Sequence, residues 1–300
     1  MHNSSPHRKF IMTPIASILR DTVTACNGIG NGIETQSLAE YVLQTTFLKM
    51  TGAQEQKLKC ICWEMATNDY DYRYRYLRKN YGECSSYEDK SSIYKDLLDM
   101  IVKLDPNFSA SNLLGDVDIN SKENELIERI IKDTQKKQEG RKGRKLTDVE
   151  AQKLADGMRA HWIKKGICER ERANLSRIVL FESMQDILVG IIGDTLVAQW
   201  DQHNYLNYVK SWKELASGDY ALGDMLLGKS FQNFYTDVVY KHRNRCAHNL
   251  ASYQNNLPTL KTLINPGFVY DNYYNRFSMI ILLDEIFVRL YKKYLDALGQ

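Results

Sequence analysis

The scarcity of chain breakers limits what this sequence can fold into more than any other feature. Five prolines and seventeen glycines are spread over 300 residues, and no segment sustains the alternation of apolar and polar residues that marks a half-buried strand. Apolar residues recur instead at three- and four-residue spacings, the period of an amphipathic helix. Leu38, Tyr41, Val42 and Leu48 begin the first such segment near Gln36. Leu58, Ile61, Cys62 and Met65 follow in a second, for which Thr51 and Gln54 offer a capping box. Ile93, Leu97, Leu98 and Ile101 give a third, and Leu126, Ile127, Ile130 and Ile131 a fourth. Another capping box, Thr147 with Glu150, opens a helix through Leu154 and Met158. Residues 175–200 are apolar nearly all round and are expected to form a buried central helix. Helices are expected at 203–216 and from 225 onward, and a last one over Tyr273–Ala297 with Phe277, Ile280, Ile281, Phe287 and Val288 inward. The chain is expected to be all-α.

Three hundred residues are a soft prior for two domains. The segment QKKQEGRKGRK, Gln135 to Lys145, holds six Lys or Arg, two Gly and one Glu, the composition of a linker. It suggests an N-terminal helical domain over 1–115 with a regulatory or partner-binding role, a helix and basic linker over 116–145, and a second helical domain over 146–300.

Composition excludes several classes. A formal charge of +3 is too small to imply nucleic acid by itself, so any basic footprint must be local. No apolar run approaches the roughly eighteen residues of a membrane span, and the first twenty residues lack the apolar core and cleavage site of a secretory signal. The six cysteines include no C-x-x-C pair, which points to reduced thiols in a cytoplasmic setting and against structural zinc. No strand-linked Gly-rich phosphate loop is present. No metal or cofactor is expected.

One stretch concentrates chemistry. In YKHRNRCAHN, Tyr240 to Asn249, stand Lys241, His242, Arg243, Arg245 and His248, with amides at Asn244 and Asn249. Imidazole takes and gives protons near neutrality. The Arg fork matches two phosphate oxygens, and Asn can orient either the imidazole or a phosphate oxygen. On a helix, Asn244 and His248 share a face at i, i+4. Arg243 and His248 lie about 140° apart and converge only if the helix bends or ends there, or if the long Arg side chain wraps round. The plain alternative is a helix C-terminus whose cations complement the macrodipole.

The run Arg243-Asn244-Arg245-Cys246-Ala247-His248 resembles the R-x4-H signature of HEPN domains: Arg, a polar residue, then Ala-His, late in an all-helical bundle with one more helix after it. By architecture the resemblance covers about residues 146–300, by motif about six residues. It implies a metal-independent endoribonuclease in which the RNA 2′-hydroxyl attacks the adjacent phosphate, with Arg243, Asn244 and His248 catalytic. Single-motif members pair two domains so that both motifs face one cleft, which here implies a homodimer. It further implies a toxin or antiphage defence effector, switched by a regulatory protein or nucleic-acid trigger. HEPN domains that only bind or scaffold also occur, so a non-catalytic RNA- or protein-binding assembly module is the alternative.

Other features are read both ways. Glu182 and Asp186, at i, i+4, are candidates to hold Arg243 in place, or face solvent. Lys241, His242 and Arg245 are candidate RNA contacts, or ordinary surface residues. DYDYRYRYLRKNY interleaves Tyr70, Tyr72, Tyr74 and Tyr76 with Arg73 and Arg75, a pattern suited to stacking on RNA or to an amphipathic surface. The last helix and the central one are the apolar elements expected to supply a dimer interface.

Overall fold

The computed structural model describes residues 5–30, 32–78, 83–108, 119–165, 180, 183–193, 195, 197, 229–248 and 270–299. Among them no strand occurs and the fold is all-α. The helices are α1 (Pro6–Met12), α2 (Ala16–Ala25), α3 (Gln36–Asn68), α4 (Tyr70–Tyr76), α5 (Tyr87–Leu104), α6 (Ile119–Lys142), α7 (Asp148–Lys165), α8 (183–192), α9 (Lys229–Tyr235), α10 (Lys241–His248) and α11 (Tyr273–Ala297). A π-helical turn, Thr236–Tyr240, joins α9 to α10.

Two long helices organise the rest. The 33 residues of α3 span about 50 Å at 1.5 Å per residue. Its buried stripe, Leu43, Phe47, Met50, Leu58, Ile61, Cys62 and Met65, packs against α1, α2, α5, α10 and α11. α11 is the most buried element: even its Asn275, Arg276, Ser278 and Asp284 are inside. The short helices around them start where the sequence provides oxygen caps. Ser5 Oγ accepts from Arg8 N at 3.2 Å with Pro6 just behind it, Ser86 Oγ accepts from Asp89 N at 3.1 Å, and Asn272 Oδ1 accepts from Asn275 N at 2.9 Å.

Polar groups inside this core tie the two ends of the chain together. Lys57 Nζ on α3 donates to Asp284 Oδ1 on α11 at 2.7 Å and also to the Thr13 carbonyl, while Asp284 Oδ2 accepts Ile15 N at 2.8 Å at the start of α2. Burial lowers the Lys57 pKa and raises that of Asp284, and their mutual attraction opposes both shifts. Gln54 donates to the Ile280 carbonyl at 3.1 Å.

Several expectations change here. The capping box at Thr51 and Gln54 is absent: α3 runs through both, Thr51 returns a hydrogen bond to the Leu48 carbonyl, and Gln54 is used by α11. On the first part of α3, Leu38 and Tyr41 are exposed. The first thirty-five residues, irregular in pattern, hold α1 and α2. The basic segment 135–145 is helical through Lys142, because α6 and α7 pair as an antiparallel hairpin turning at Gly143 (φ 62°). One apolar cluster joins residues from Ile11 to Ile101 with residues from Leu180 to Tyr294, so helices from both sides of the expected boundary share a core. Ile131 and Ala155, buried in the hairpin, stand outside that cluster. α8 buries Met184, Leu188 and Ile192 but exposes Asp186 and Val189, so its described part is two-faced rather than apolar all round. Most of the apolar side chains of α11 are taken up by the chain's own core. The helix expected at 203–216 lies outside the described residues. No described helix is long and apolar enough to cross a membrane.

Candidate active site

The motif rides on one helical stretch, Lys229 to His248, interrupted by the π turn. Phe231, Tyr235 and Val239 anchor the stretch in the core. The π turn lodges an extra residue and rotates α10 relative to α9, a feature common where helices carry function. A buried cation sits beside it: Arg276 Nε donates to the Val238 carbonyl at 3.2 Å, its Nη2 pairs with Asp271, and its guanidinium lies 4.9 Å from the Tyr273 ring.

Arg243 turns toward α3. Its Nη2 meets Glu55 Oε2 at 3.2 Å and its Nη1 donates to Asn244 Oδ1 at 3.3 Å. One quarter of the side chain stays exposed. Around this pair lie Lys59, bonded to Glu83, and the buried Lys90. Lys90 Nζ donates to the Cys84 and Ser85 carbonyls at 2.7 and 3.1 Å and sits 5.5 Å from the Tyr235 ring. Burial first, then the charge of Arg243, lowers Lys90 to a pKa of about 8, against the pull of Glu55. Burial pushes the Cys84 thiol up to about 11 and also raises Tyr235, to which Glu55 adds. Cys84 itself takes a left-handed backbone (φ 59°) that β-carbon sterics normally disfavour.

The expected site residues fare differently. Arg243 and Asn244 lie together. His248 is the last residue of α10 as described, and Asn249 lies outside the described residues. His242 is half-buried. It packs edge-on against Phe47 and Tyr273, with ring centroids 5.0 and 5.5 Å away. Burial and then the charges of Arg276 and Arg245 depress its pKa strongly. Arg245 Nη2 lies 3.3 Å from His242 Nδ1, and Arg only donates, so Nδ1 accepts and the proton sits on Nε2, facing Cys246 Sγ at 3.4 Å. Arg245 also reaches Asp271 at 3.7 Å and is half-buried. Lys241 is exposed and pairs with Asp237 at 2.6 Å. Glu182 lies outside the described residues. Asp186 is exposed and makes no ion pair with Arg243 among the described residues; the carboxylate that holds the guanidinium is Glu55. Sequence reading missed Glu55, Lys59 and Lys90. The only available signal was the Glu55/Lys59 pair at i, i+4, which on a helix ordinarily reads as surface pairing.

In the tyrosine-arginine stretch, Tyr72 is buried and stacked on Tyr76, whereas Tyr70 and Tyr74 are exposed. Among the described residues no cluster of His, Cys, Asp and Glu is arranged to hold a metal ion. No protein-family model, no curated protein and no solved structure matches this chain.

Proposed function

We propose that this chain is a metal-independent endoribonuclease of HEPN type. The observation that carries the reading is the anchoring of Arg243 by Glu55, 188 residues earlier in the sequence, on the helix that continues to His248. A helix-end cation serving only the macrodipole needs no partly buried partner on another helix. A guanidinium fixed by a carboxylate on a side chain still one quarter exposed is suited to positioning a phosphate.

In this reaction the 2′-hydroxyl attacks the neighbouring phosphorus as the bond to the 5′-oxygen breaks. The products carry a 2′,3′-cyclic phosphate and a 5′-hydroxyl. His248 takes the proton of the 2′-hydroxyl, Arg243 meets the charge gathering on the equatorial oxygens, and Asn244 holds the guanidinium in register. The leaving 5′-oxygen needs a second proton carrier. His242 does not fit the role: it is half-buried between Phe47 and Tyr273, and burial and the charges of Arg276 and Arg245 lower its pKa strongly. The partner's His248 in a homodimer fills the role. The toxin or defence setting and its trigger belong to the same proposal.

A non-catalytic RNA- or protein-binding module is the second reading, favoured by one observation: Glu55 already offsets part of the Arg243 charge. Cleavage of single-stranded RNA in EDTA separates the two. The proposal expects cutting with cyclic-phosphate ends, abolished by His248→Ala with the circular dichroism unchanged. Intact RNA with the wild-type chain, or equal cutting by the variant, overturns it.

A further inference from the structure

From Glu55 onward, one face of α3 carries an arrangement that extends beyond the site. Glu55, Lys59 and Trp63 follow one another at i, i+4 and i+8, so each step advances about 6 Å along the axis and turns by only about 40°. Trp63 is 63% exposed although it is the largest side chain on the helix. Its ring neighbour among the described residues is His7, edge-on at 6.1 Å. One turn further, α4 folds back so that Arg73 Nε donates to the Ala66 carbonyl at 2.7 Å and Nη2 to the Thr67 carbonyl at 3.4 Å. Those carbonyls, three and four residues past Trp63 on the same helix, hold the guanidinium without cancelling its charge, and no ion pair of Arg73 occurs among the described residues. On the other side of Trp63, Lys59 pairs with Glu83, which is 79% exposed, an interaction that a competing anion can displace. Beyond Arg73 the alternation continues: Arg78 lies 4.2 Å from the exposed Tyr74 ring.

We propose that this face of α3 and α4 is a track for single-stranded RNA leading to Arg243, on which Trp63 stacks a base while Lys59 and Arg73 meet the flanking phosphates. The proposal rests on the RNA reading of the site and adds a substrate class to it. Cations alternating with exposed aromatics suit a strand whose bases and phosphates alternate, whereas a protein interface is expected to present a contiguous apolar core. A duplex keeps its bases stacked on each other and cannot offer one to Trp63. The track is continuous with the site, because Glu55, one turn before Lys59 on α3, pairs with Arg243 at 3.2 Å.

The test measures anisotropy of a labelled, unstructured oligoribonucleotide with the His248→Ala chain, which keeps the strand intact. Trp63→Ala is expected to weaken binding roughly ten- to a hundredfold, the range for losing one stacked base, and Trp63→Phe to recover most of it. Arg73→Gln and Lys59→Gln are each expected to lower the salt dependence by about one phosphate contact. Melting curves check that these exposed substitutions leave the fold unchanged. Full affinity in Trp63→Ala overturns the track. So does equal, Trp63-independent binding of a duplex. A fall in molecular mass of Trp63→Ala, with affinity per dimer unchanged, also overturns it and makes this face a contact between two copies of the chain. If RNA binds through Trp63 but the wild type never cuts, the track stands and the nuclease reading falls. If the wild type cuts and the Trp63 variants bind and cut equally well, the reverse holds.

Discussion

Lys90→Met tests whether the core beneath Arg243 contains a charged amine held at a cost. The Lys90 side chain is 1% exposed, and burial takes its pKa from the ordinary 10.5 to about 8. Because the folded pKa lies below the unfolded one, the unfolded chain binds more protons between those two values, and stability rises as pH rises through the window. Below about pH 8 the full penalty applies, on the order of 3 kcal/mol at pH 7; by pH 9 a little over 1 kcal/mol of it is relieved. Methionine removes the penalty but leaves the Cys84 and Ser85 carbonyls without the amine that now donates to them, a loss of about 1–3 kcal/mol. The net gain at pH 7 is therefore small, and the pH dependence is the decisive quantity. Urea unfolding at pH 7 and pH 9 should show the wild type gaining on Lys90→Met by about 1 kcal/mol. The raised Cys84 thiol, pushed up to about 11, works in the opposite direction above pH 9 but is present in both chains. A wild-type-to-variant difference that does not change with pH would refute the buried-cation argument.

Glu55→Gln keeps the shape at Arg243 and removes the charge; RNA cleavage is expected to fall about tenfold, the equivalent of 1.4 kcal/mol, while the melting temperature moves little, and a large loss of stability with full activity would contradict a positioning role. Asp284→Ala strands Lys57 in the core and should cost about 3–5 kcal/mol by chemical denaturation, whereas Lys57→Met with Asp284→Leu should recover most of that loss. Gly140 lies within α6 with nothing within 4 Å of where a Cβ would be placed, so Gly140→Ala is expected to stabilise the α6–α7 hairpin by up to about 1 kcal/mol, read by local amide exchange. Mixing His248→Ala with wild type should depress specific activity below simple dilution, through half-equipped heterodimers; strictly proportional activity argues for a site complete in one chain.

Local chemistry was readable from the sequence where spacing along one helix set the buried face or the cap. The spacing of Ile93, Leu97 and Ile101 placed the inner face of α5, and Phe277, Ile280, Ile281 and Phe287 that of α11. Thr147 with Glu150 forms both arms of its capping box, Glu150 N to Thr147 Oγ1 at 3.4 Å and Thr147 N to Glu150 Oε2 at 3.1 Å. The same spacing at Thr51 and Gln54 means something else, because a buried amide took a carbonyl 226 residues away in preference to a cap. Spacing cannot report such partners. Nor can it report the π turn ahead of the motif, whose sequence TDVVY has no distinctive composition. His242 looked like one more basic side chain. Only its packing between Phe47 and Tyr273 distinguishes it from the other basic side chains of the motif.

The placement of Glu55 changes how the N-terminal half relates to the motif. A regulatory domain joined by a linker would let residues 146–300 act alone and be switched by docking. Here α3 supplies the carboxylate that fixes Arg243, the aromatic ring of Phe47 against His242, and the lysine that locks Asp284 of α11. Removing residues 1–115 would strip the motif helix of its packing surface and leave the Asp284 carboxylate buried without its cation, so a truncated C-terminal piece is expected to lose its fold before it loses regulation. The α6–α7 hairpin is the better place to look for a separable part, since its buried Ile131 and Ala155 stand apart from the main apolar cluster. Any trigger that acts on the site has a short physical route through α3, because a shift of α3 by a fraction of a turn would withdraw Glu55 from the guanidinium it positions.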